Sequence, residues 1–577
     1  MSGIFGFFRN TSQSKIDSML GLLNQYPNNR VLHHFCDDNV CIANIGLSHH
    51  KDCKYSDKDI ELSIAGNCYN LCDFSADTFA DLIVSSYRDG NLTDTLAQVD
   101  GCFHFCLYDK KNQKVIIACD RFGLYPLFIY SQDGNFAFGA ESKSLLKLDF
   151  VNTTIDPDSF SVFEKMGYLL GSSTWFKYIK RIKPATIMTF DMQTHELTSC
   201  YYWTFASIRK SDISFDDAVE IAHRLFSDSV RRQVNPLIKS VIPISAGYDS
   251  RLILAAAKEL YPNYNPYTTT FGVKNCLDII TARKVCKVAG IKKNHENLFE
   301  NIDWLGVREN MVYDCDCTFS LQHMHGLEFI NTFGDARCLI NGYLGDTIFG
   351  GSYLPTDTSL YNHVIDESVA KYYFGDCYRF CDFDDEYFQI NNPIVLMWFN
   401  RGNNFINEAQ RLCYNTLDVA HPFFDNKIIE FIASLPNEYL QYDRLYNALV
   451  LKHYPKYFKF IGRNGNRPAY LTKGLAYRYN KMKFALDKLL RTIRIKPRIV
   501  MAYANYTKWV RERQNKERLI QLLNRDTSFY SKYTDTDYCD LLCHANSSNI
   551  SQILSVASVE IYFSQLKKHK IEIEKEI

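Results

Sequence analysis

The hydrophobic pattern of this chain changes its period once, and that change limits what the chain can fold into. Over the first 150 residues short apolar runs of strand length recur between turns, that at 101–109 alternating. The runs 40–47, 101–109, 114–120, 126–131 and 135–141 read as strands, with Asp133-Gly134 as a hairpin turn. One stretch, 78–87, spaces Phe79, Leu82 and Ile83 as a helix does, which predicts an amphipathic helix laid on a sheet.

Beyond the polar residues 209–212, Ser214-Phe215-Asp216-Asp217 has the form of a capping box, followed by apolar Val219, Ala222, Leu225 and Phe226 at helical spacing. From there the units change: strand 241–244, a six-residue turn, helix 251–260, strand 267–271, helix 278–289. That alternation predicts a parallel α/β unit. From about residue 365 the pattern is mostly helical. The expected division of the 577 residues is therefore 1–206, a β-rich layered sandwich, and 207–577, a parallel-sheet domain with a helical C-terminal part.

Composition removes several classes of function. Hydrophobic residues are 46% and charged residues 23% of the chain, a globular balance that excludes wholesale disorder. Lys plus Arg (65) cancels Asp plus Glu (65), so no global field attracts nucleic acid or an anionic membrane. The basic stretch 481–513, with Arg491, Arg494, Lys496, Arg498 and Lys508 among aliphatics, reads as a solvated helix face. No run of about 18 apolar residues occurs, and Met1-Ser2-Gly3-Ile4-Phe5-Gly6 lacks a signal-peptide pattern. The expectation is a cytoplasmic protein acting on small molecules. Its 19 cysteines are odd in number and scattered, so reduced thiols are expected; without a CxxC pair, Cys539, Cys543 and His544 are too few for zinc.

Two loops carry the chemistry. Ser245-Ala246-Gly247-Tyr248-Asp249-Ser250 joins a strand to a helix. Small residues permit close backbone approach, the helix N-terminus offers free N–H groups, and Ser245 and Ser250 can bond phosphate oxygens. Asp249 would repel an anion there unless a divalent cation lies between them, which implies Mg2+. Asn341-Gly342-Tyr343-Leu344-Gly345-Asp346 follows apolar Leu339-Ile340 and can bring a second carboxylate to the same cation.

SAGYDS resembles the SGGxDS pyrophosphate loop of the asparagine synthetase family, and NGYLGDTIFGG resembles its SGEGSDExFGG segment. The blocks 278–285 and Pro422-Phe423-Phe424-Asp425 are similar to further family segments. In the first half, 118–127 (ACDRFGLYPL) and 138–143 (FGAESK) resemble the family's RDxxGxxPLYY and FASExKAL segments. The resemblance runs in the family's order over nearly the whole chain. It implies an N-terminal class II glutamine amidotransferase fold, an Ntn-type αββα sandwich, followed by an ATP-pyrophosphatase domain using ATP and Mg2+.

Departures from the family pattern are concentrated in the first domain. Its members liberate ammonia with an N-terminal cysteine, whereas this chain has Ser2, a far weaker nucleophile near neutral pH. Ala65-Gly66 replaces an Asn-Gly that supplies an oxyanion donor worth about 3 kcal/mol. Phe79 stands where an acid is expected to hold the substrate amine, and no family arginine follows Leu47-Ser48. The expectation is a scaffold that does not hydrolyse glutamine.

In the second domain Tyr343 replaces a family glutamate and resembles the tyrosine of β-lactam and carbapenam synthetases, which assists deprotonation of the attacking amine. Glu367 and Glu386 are the nominated partners of that tyrosine. Arg463, with Lys459 and Arg467 as competitors, is the candidate cation near the α-phosphate. Adenine is expected against the strand ends, beside Ile244, Phe271, Asn341 and Gly342. The resemblance implies a ligase that adenylates a carboxylate with ATP and transfers the acyl group to an amine or ammonia. Asparagine synthesis from aspartate and ammonia, a tailoring ligase for another acid, and a non-catalytic nucleotide-binding relative remain alternatives. Relatives of this architecture are often dimers, so a homodimer stays open.

Overall fold

The computed structural model describes residues 2–8, 17, 19–21, 26–50, 52–324, 326–459, 461–463, 478, 482, 485–486, 489–493, 499–571 and 573. In the first half, two six-stranded antiparallel sheets lie face to face. One has the order β10-β8-β9-β1-β3-β2 and the other β12-β11-β7-β6-β5-β4. The strands are β1 (Gly3–Phe8), β2 (Asn29–Cys36), β3 (Val40–Leu47), β4 (Lys54–Ser56), β5 (Ile60–Cys68), β6 (Gly101–Asp109), β7 (Lys114–Cys119), β8 (Phe128–Gln132), β9 (Asn135–Gly139), β10 (Ile179–Arg181), β11 (Thr186–Asp191) and β12 (Glu196–Tyr201).

Every residue of β3 and β6 is buried, which two facing sheets achieve only when their outer faces are also covered. Helix α1 (Phe79–Arg88) packs on β5, and the short helix Ser142–Leu145 packs on β9, giving helix, sheet, sheet, helix. Thr78 starts α1, its hydroxyl accepting the Asp81 N–H at 3.1 Å. At the 133–134 hairpin Asp133 (φ +51°) and Gly134 (φ +72°) are both left-handed, as a two-residue turn matched to strand twist requires.

One expectation about the cysteines is corrected. Cys36 and Cys41 form a disulfide; they face each other across the end of the β2–β3 hairpin, so strand register alone brings them together. The other 17 cysteines are free.

In the second half, Ser214 caps α2 (Phe215–Gln233) by accepting the Asp217 N–H at 3.1 Å. A five-stranded sheet follows, of order β15-β14-β13-β16-β17 and parallel at every pairing: β13 (Ser240–Pro243), β14 (Tyr267–Gly272), β15 (Asn294–Leu298), β16 (Cys338–Ile340) and β17 (Asp418–Ala420). Helices α3 (Asp249–Leu260) and α4 (Leu277–Ala289) carry the chain outward from β13 to β15, and it then returns to β16 on the other side of β13. The turns leaving β13 and β16 are thus neighbours that depart in opposite directions, the place where open α/β sheets form a crevice.

The halves dock through buried charge. Arg411 donates to Ala140 O and to Asp316 Oδ2, each at 2.9 Å; Lys143 pairs with Glu141 (2.6 Å) and Asp316 (3.1 Å); and Arg181 meets Glu408 at 2.6 Å. Among the described residues no helix is long and apolar enough to cross a membrane. Within the basic stretch Arg491 and Lys508 are described, whereas Arg494, Lys496 and Arg498 lie outside the described residues, as does Met1.

Candidate active site

Helix α3 begins two residues earlier than the sequence suggests, so Asp249 and Ser250 stand in its first turn rather than in the loop. The loop is held from within: Ser250 Oγ accepts the Ser245 N–H (3.3 Å), and Ser245 Oγ accepts the Gly247 N–H (3.1 Å). From α4, Asp278 Oδ1 accepts the Ala246 N–H at 2.7 Å. Arg251, fully buried, braces the loop from behind by donating to Gly247 O (2.7 Å) and to the carbonyls of Ile461 and Gly462 (3.1 Å each). Tyr248 is buried, with the Arg251 and Arg463 guanidinium groups 4.8 and 5.5 Å from its ring, so its side chain packs and only its backbone faces the loop. Ser245 is exposed.

The second loop meets the first through glycine. A β-carbon on Gly342 would lie 2.9 Å from Ser250 N and 3.0 Å from Asp249 Cβ. Leu344 takes a left-handed conformation (φ +53°) to start α5 (Gly345–Gly350), whose first turn carries Asp346. Burial first, and then the Asp346 carboxylate, push the Asp249 carboxyl up to about 8. Burial also raises Asp346, opposed by Arg463 and Ser352. Arg463 donates to Asp346 Oδ2 (3.3 Å) and pairs with Asp443, while Tyr446 Oη, from α6 (Arg444–His453), donates to Asp249 Oδ1 (2.9 Å). Asp443 itself is left-handed (φ +59°). Of the three competing cations, Arg463 is the one at the carboxylates; Lys459 is exposed and Arg467 lies outside the described residues.

A cavity of about 560 Å³ runs along one face of the sheet to its carboxyl end. Pro243, Thr269 and Phe271 line it from the strands and Asn341 from just beyond β16, faced by Phe329, Arg401, Phe405 and Tyr503. Phe271 and Asn341 thus line this cavity, and Gly342 lies against Asp249. Ile244 does not line the cavity: it is buried in the core, its N–H bonded to Thr269 O at 2.7 Å, because successive strand residues face opposite sides.

Tyr343 needs a correction of its surroundings. Its hydroxyl donates to Asn403 Oδ1 (2.7 Å), its ring stacks on Phe424 (4.8 Å), and burial pushes the phenol well above its usual range. Neither nominated carboxylate accompanies it: Glu367 pairs with Lys371 on an exposed helix, and Glu386 begins the short helix Glu386–Phe388.

In the first half Ser2 is buried, and its N–H donates across to Asn415 Oδ1 of the second half at 2.9 Å. Ala65 is buried opposite His104. Gly66 (φ +100°) packs so closely that a β-carbon would lie 2.7 Å from Phe103 Cα. Phe79 meets Phe103 edge-on at 4.9 Å.

The glutamine amidotransferase domain family matches residues 1–203, and the asparagine synthase family matches residues 222–376. The chain belongs to the asparagine synthetase family.

Asparagine synthetase (glutamine-hydrolyzing) 3 of Bacillus subtilis (strain 168) is 29% identical over 36% of this chain and 35% of its own length. Putative asparagine synthetase (glutamine-hydrolyzing) 2 of Methanocaldococcus jannaschii is 22% identical over 45% of this chain and 51% of its own. The matches thus span about a third to a half of these curated relatives. Glutamine phosphoribosylpyrophosphate amidotransferase from B. subtilis, complexed with ADP and GMP, is 13% identical with a TM-score of 0.26, covering 51% of this chain and 81% of that one. So slight a likeness carries no argument; the fold rests on the strand pairings above.

This asparagine synthetase family member holds four site residues that the sequence reading did not nominate: Arg251, Asp278, Asp443 and Tyr446. Arg251 left a signal, a charge directly after the serine loop on a helix otherwise apolar from Leu252 to Ala257. Asp278 lies in a block similar to the family's own, although the sequence assigned it no role. Asp443 and Tyr446 left none, because only the tertiary fold brings them to the loops.

Proposed function

We propose that the chain is a cytoplasmic ATP-dependent carbon–nitrogen ligase, working through residues 207–577, that adenylates a carboxylate and transfers the acyl group to an amine or ammonia, releasing AMP and pyrophosphate. The observation that carries this reading is the approach of Asp249 and Asp346 over the first turn of α3, at the switch point of the sheet. Two half-buried carboxylates repel each other, and one guanidinium offsets them incompletely. Such a pair suits a divalent cation with oxygen ligands. Among the described residues the buried Arg463 Nε–H has no partner, a donor left for an anionic oxygen beside the same pair.

Asp249 and Asp346 would hold Mg2+, which when bound neutralises phosphate charge. The remaining work falls to the chain. The N–H groups that open α3 and the Ser245 and Ser250 hydroxyls bind and orient pyrophosphate oxygens. Arg463 supplies positive charge where the α-phosphate would lie. Phe271 and Asn341 receive the base, and the cavity holds the acid away from water.

Residues 1–206 act in this reading as a scaffold. Its support is the lack of a side-chain donor at Ala65, the packing of Phe79 on Phe103 and the burial of Ser2. The amine then comes from solution or from the substrate itself, and aspartate with ammonia is the second reading, favoured by the family. Incubating the protein with ATP, Mg2+ and a carboxylate panel, with either ammonium or glutamine as nitrogen source, tests both. AMP formed with ammonium but not glutamine supports the proposal; equal use of glutamine would overturn the scaffold assignment.

A further inference from the structure

The loop after β3 carries two consecutive histidines, and both reach one carboxylate on the other half of the chain. His49 Nε2 lies 2.8 Å from Asp418 Oδ2, and His50 Nε2 lies 2.6 Å from Asp418 Oδ1. The two imidazoles meet edge-on with centroids 4.7 Å apart, and the three donor atoms all lie within 4.8 Å of one another.

Backbone bonds fix both ends of this bridge. The His50 N–H is held by Leu47 O at 3.0 Å, and the Asp418 N–H by Arg337 O at 2.9 Å. Asp418 opens β17, at the end of the parallel sheet opposite the phosphate loops. The proposed ligase chemistry uses none of the three residues. Their side chains are 21 to 30% exposed, so the cluster has a path to solvent.

Two neutral imidazoles and one carboxylate form an N2O donor set with a net charge of −1. Mg2+ and Ca2+ favour all-oxygen sites, whereas imidazole with carboxylate suits zinc and its first-row neighbours. Without metal, each Nε2–H donates to one carboxylate oxygen; a metal would bind at the two Nε2 atoms, each ring staying neutral with its proton on Nδ1, and keep at least one position for water. We propose that His49, His50 and Asp418 form a divalent transition-metal site of the zinc class that clamps the loop after β3 to the edge strand of the parallel sheet.

The test uses the full chain, stripped with a chelator and titrated with Co2+ as a visible-absorbing probe, then challenged with Zn2+. The expected result is one equivalent bound and displaced by Zn2+, with affinity reduced at least tenfold by His50→Ala and by Asp418→Asn. His34→Ala, at the Cys36–Cys41 hairpin, and Asp346→Asn, at the proposed magnesium pair, leave that equivalent in place. Zn2+ also raises the melting temperature of the wild type but not of His50→Ala. Circular dichroism checks each variant, and His50→Gln replaces any that fails to fold. The proposal is overturned if wild-type protein binds no Co2+ at micromolar concentration, or if the His50 and Asp418 variants bind it as tightly as wild type.

Discussion

Gly345 lies so close to Asp249 that a β-carbon on the glycine would stand 2.8 Å from the aspartate's carboxyl carbon. The second loop can therefore close on the first only where it carries hydrogen in place of a side chain. The same holds at Gly342, whose β-carbon would press on the backbone of Ser250.

Gly345→Ala and Gly342→Ala are expected to separate the two carboxylates. Overpacking of this kind costs about 1–3 kcal/mol, and activity should fall by at least tenfold. Gly334→Ala, with open space around it, is the control. Kinetics and urea unfolding of the three variants check this; a fully active Gly345→Ala would mean that the contact has no part in the chemistry.

Much of this arrangement is legible in the sequence. The runs 40–47 and 101–109 become β3 and β6, the Ser214 capping box starts α2, and the two glycine loops follow adjacent strands. Edge strand β2 was not legible, because its alternation is broken by polar residues such as half-exposed His33 and exposed His34. Tyr343 shows a different limit. A tyrosine beside a catalytic loop looks reactive in sequence, but its direction depends on Asn403 and Phe424, about 60 and 80 residues away in the chain. The disulfide was missed for a similar reason: cysteine count and spacing do not report that positions 36 and 41 face each other.

Tyr343→Phe keeps the stack on Phe424 and loses one buried hydrogen bond, leaving Asn403 Oδ1 unpaired. Stability should drop by about 1–2 kcal/mol with steady-state rates within twofold of wild type. A hundredfold fall in kcat would restore an acid–base role for this tyrosine.

Ser2→Cys should not produce glutaminase activity, because Ala65 supplies no side-chain donor and Phe79 no carboxylate for the substrate amine. Ammonia release from glutamine, measured on wild type and on this variant, is expected at background in both. Release by Ser2→Cys well above background would show that the pocket still binds glutamine.

His104 and His421 are buried, and burial pushes each down to about 3. His104 Nε2 accepts the Ile4 N–H at 3.2 Å, and His421 Nε2 lies 3.2 Å from Tyr414 Oη. Unfolded histidine titrates near 6.5, so between roughly pH 6.5 and 3 the unfolded chain binds protons that the folded chain refuses. Stability therefore falls as pH drops through that window, by about 2 kcal/mol per histidine at pH 5. Urea unfolding at pH 7.5 and 5.0 measures the loss, and His421→Gln should remove about half of the part due to these two residues. An unchanged loss in that variant would assign the acid sensitivity elsewhere.

The central claim is that Asp249 and Asp346 act together on ATP, and ATP–pyrophosphate exchange with Mg2+ measures it most directly. Purified protein is assayed against a carboxylate panel led by aspartate, beside Asp249→Asn and Asp346→Asn. The account predicts exchange that depends on one acid and falls at least a hundredfold in both variants while their folds are retained. Exchange that survives in either variant, or its absence from wild type with every acid and amine supplied, would contradict it.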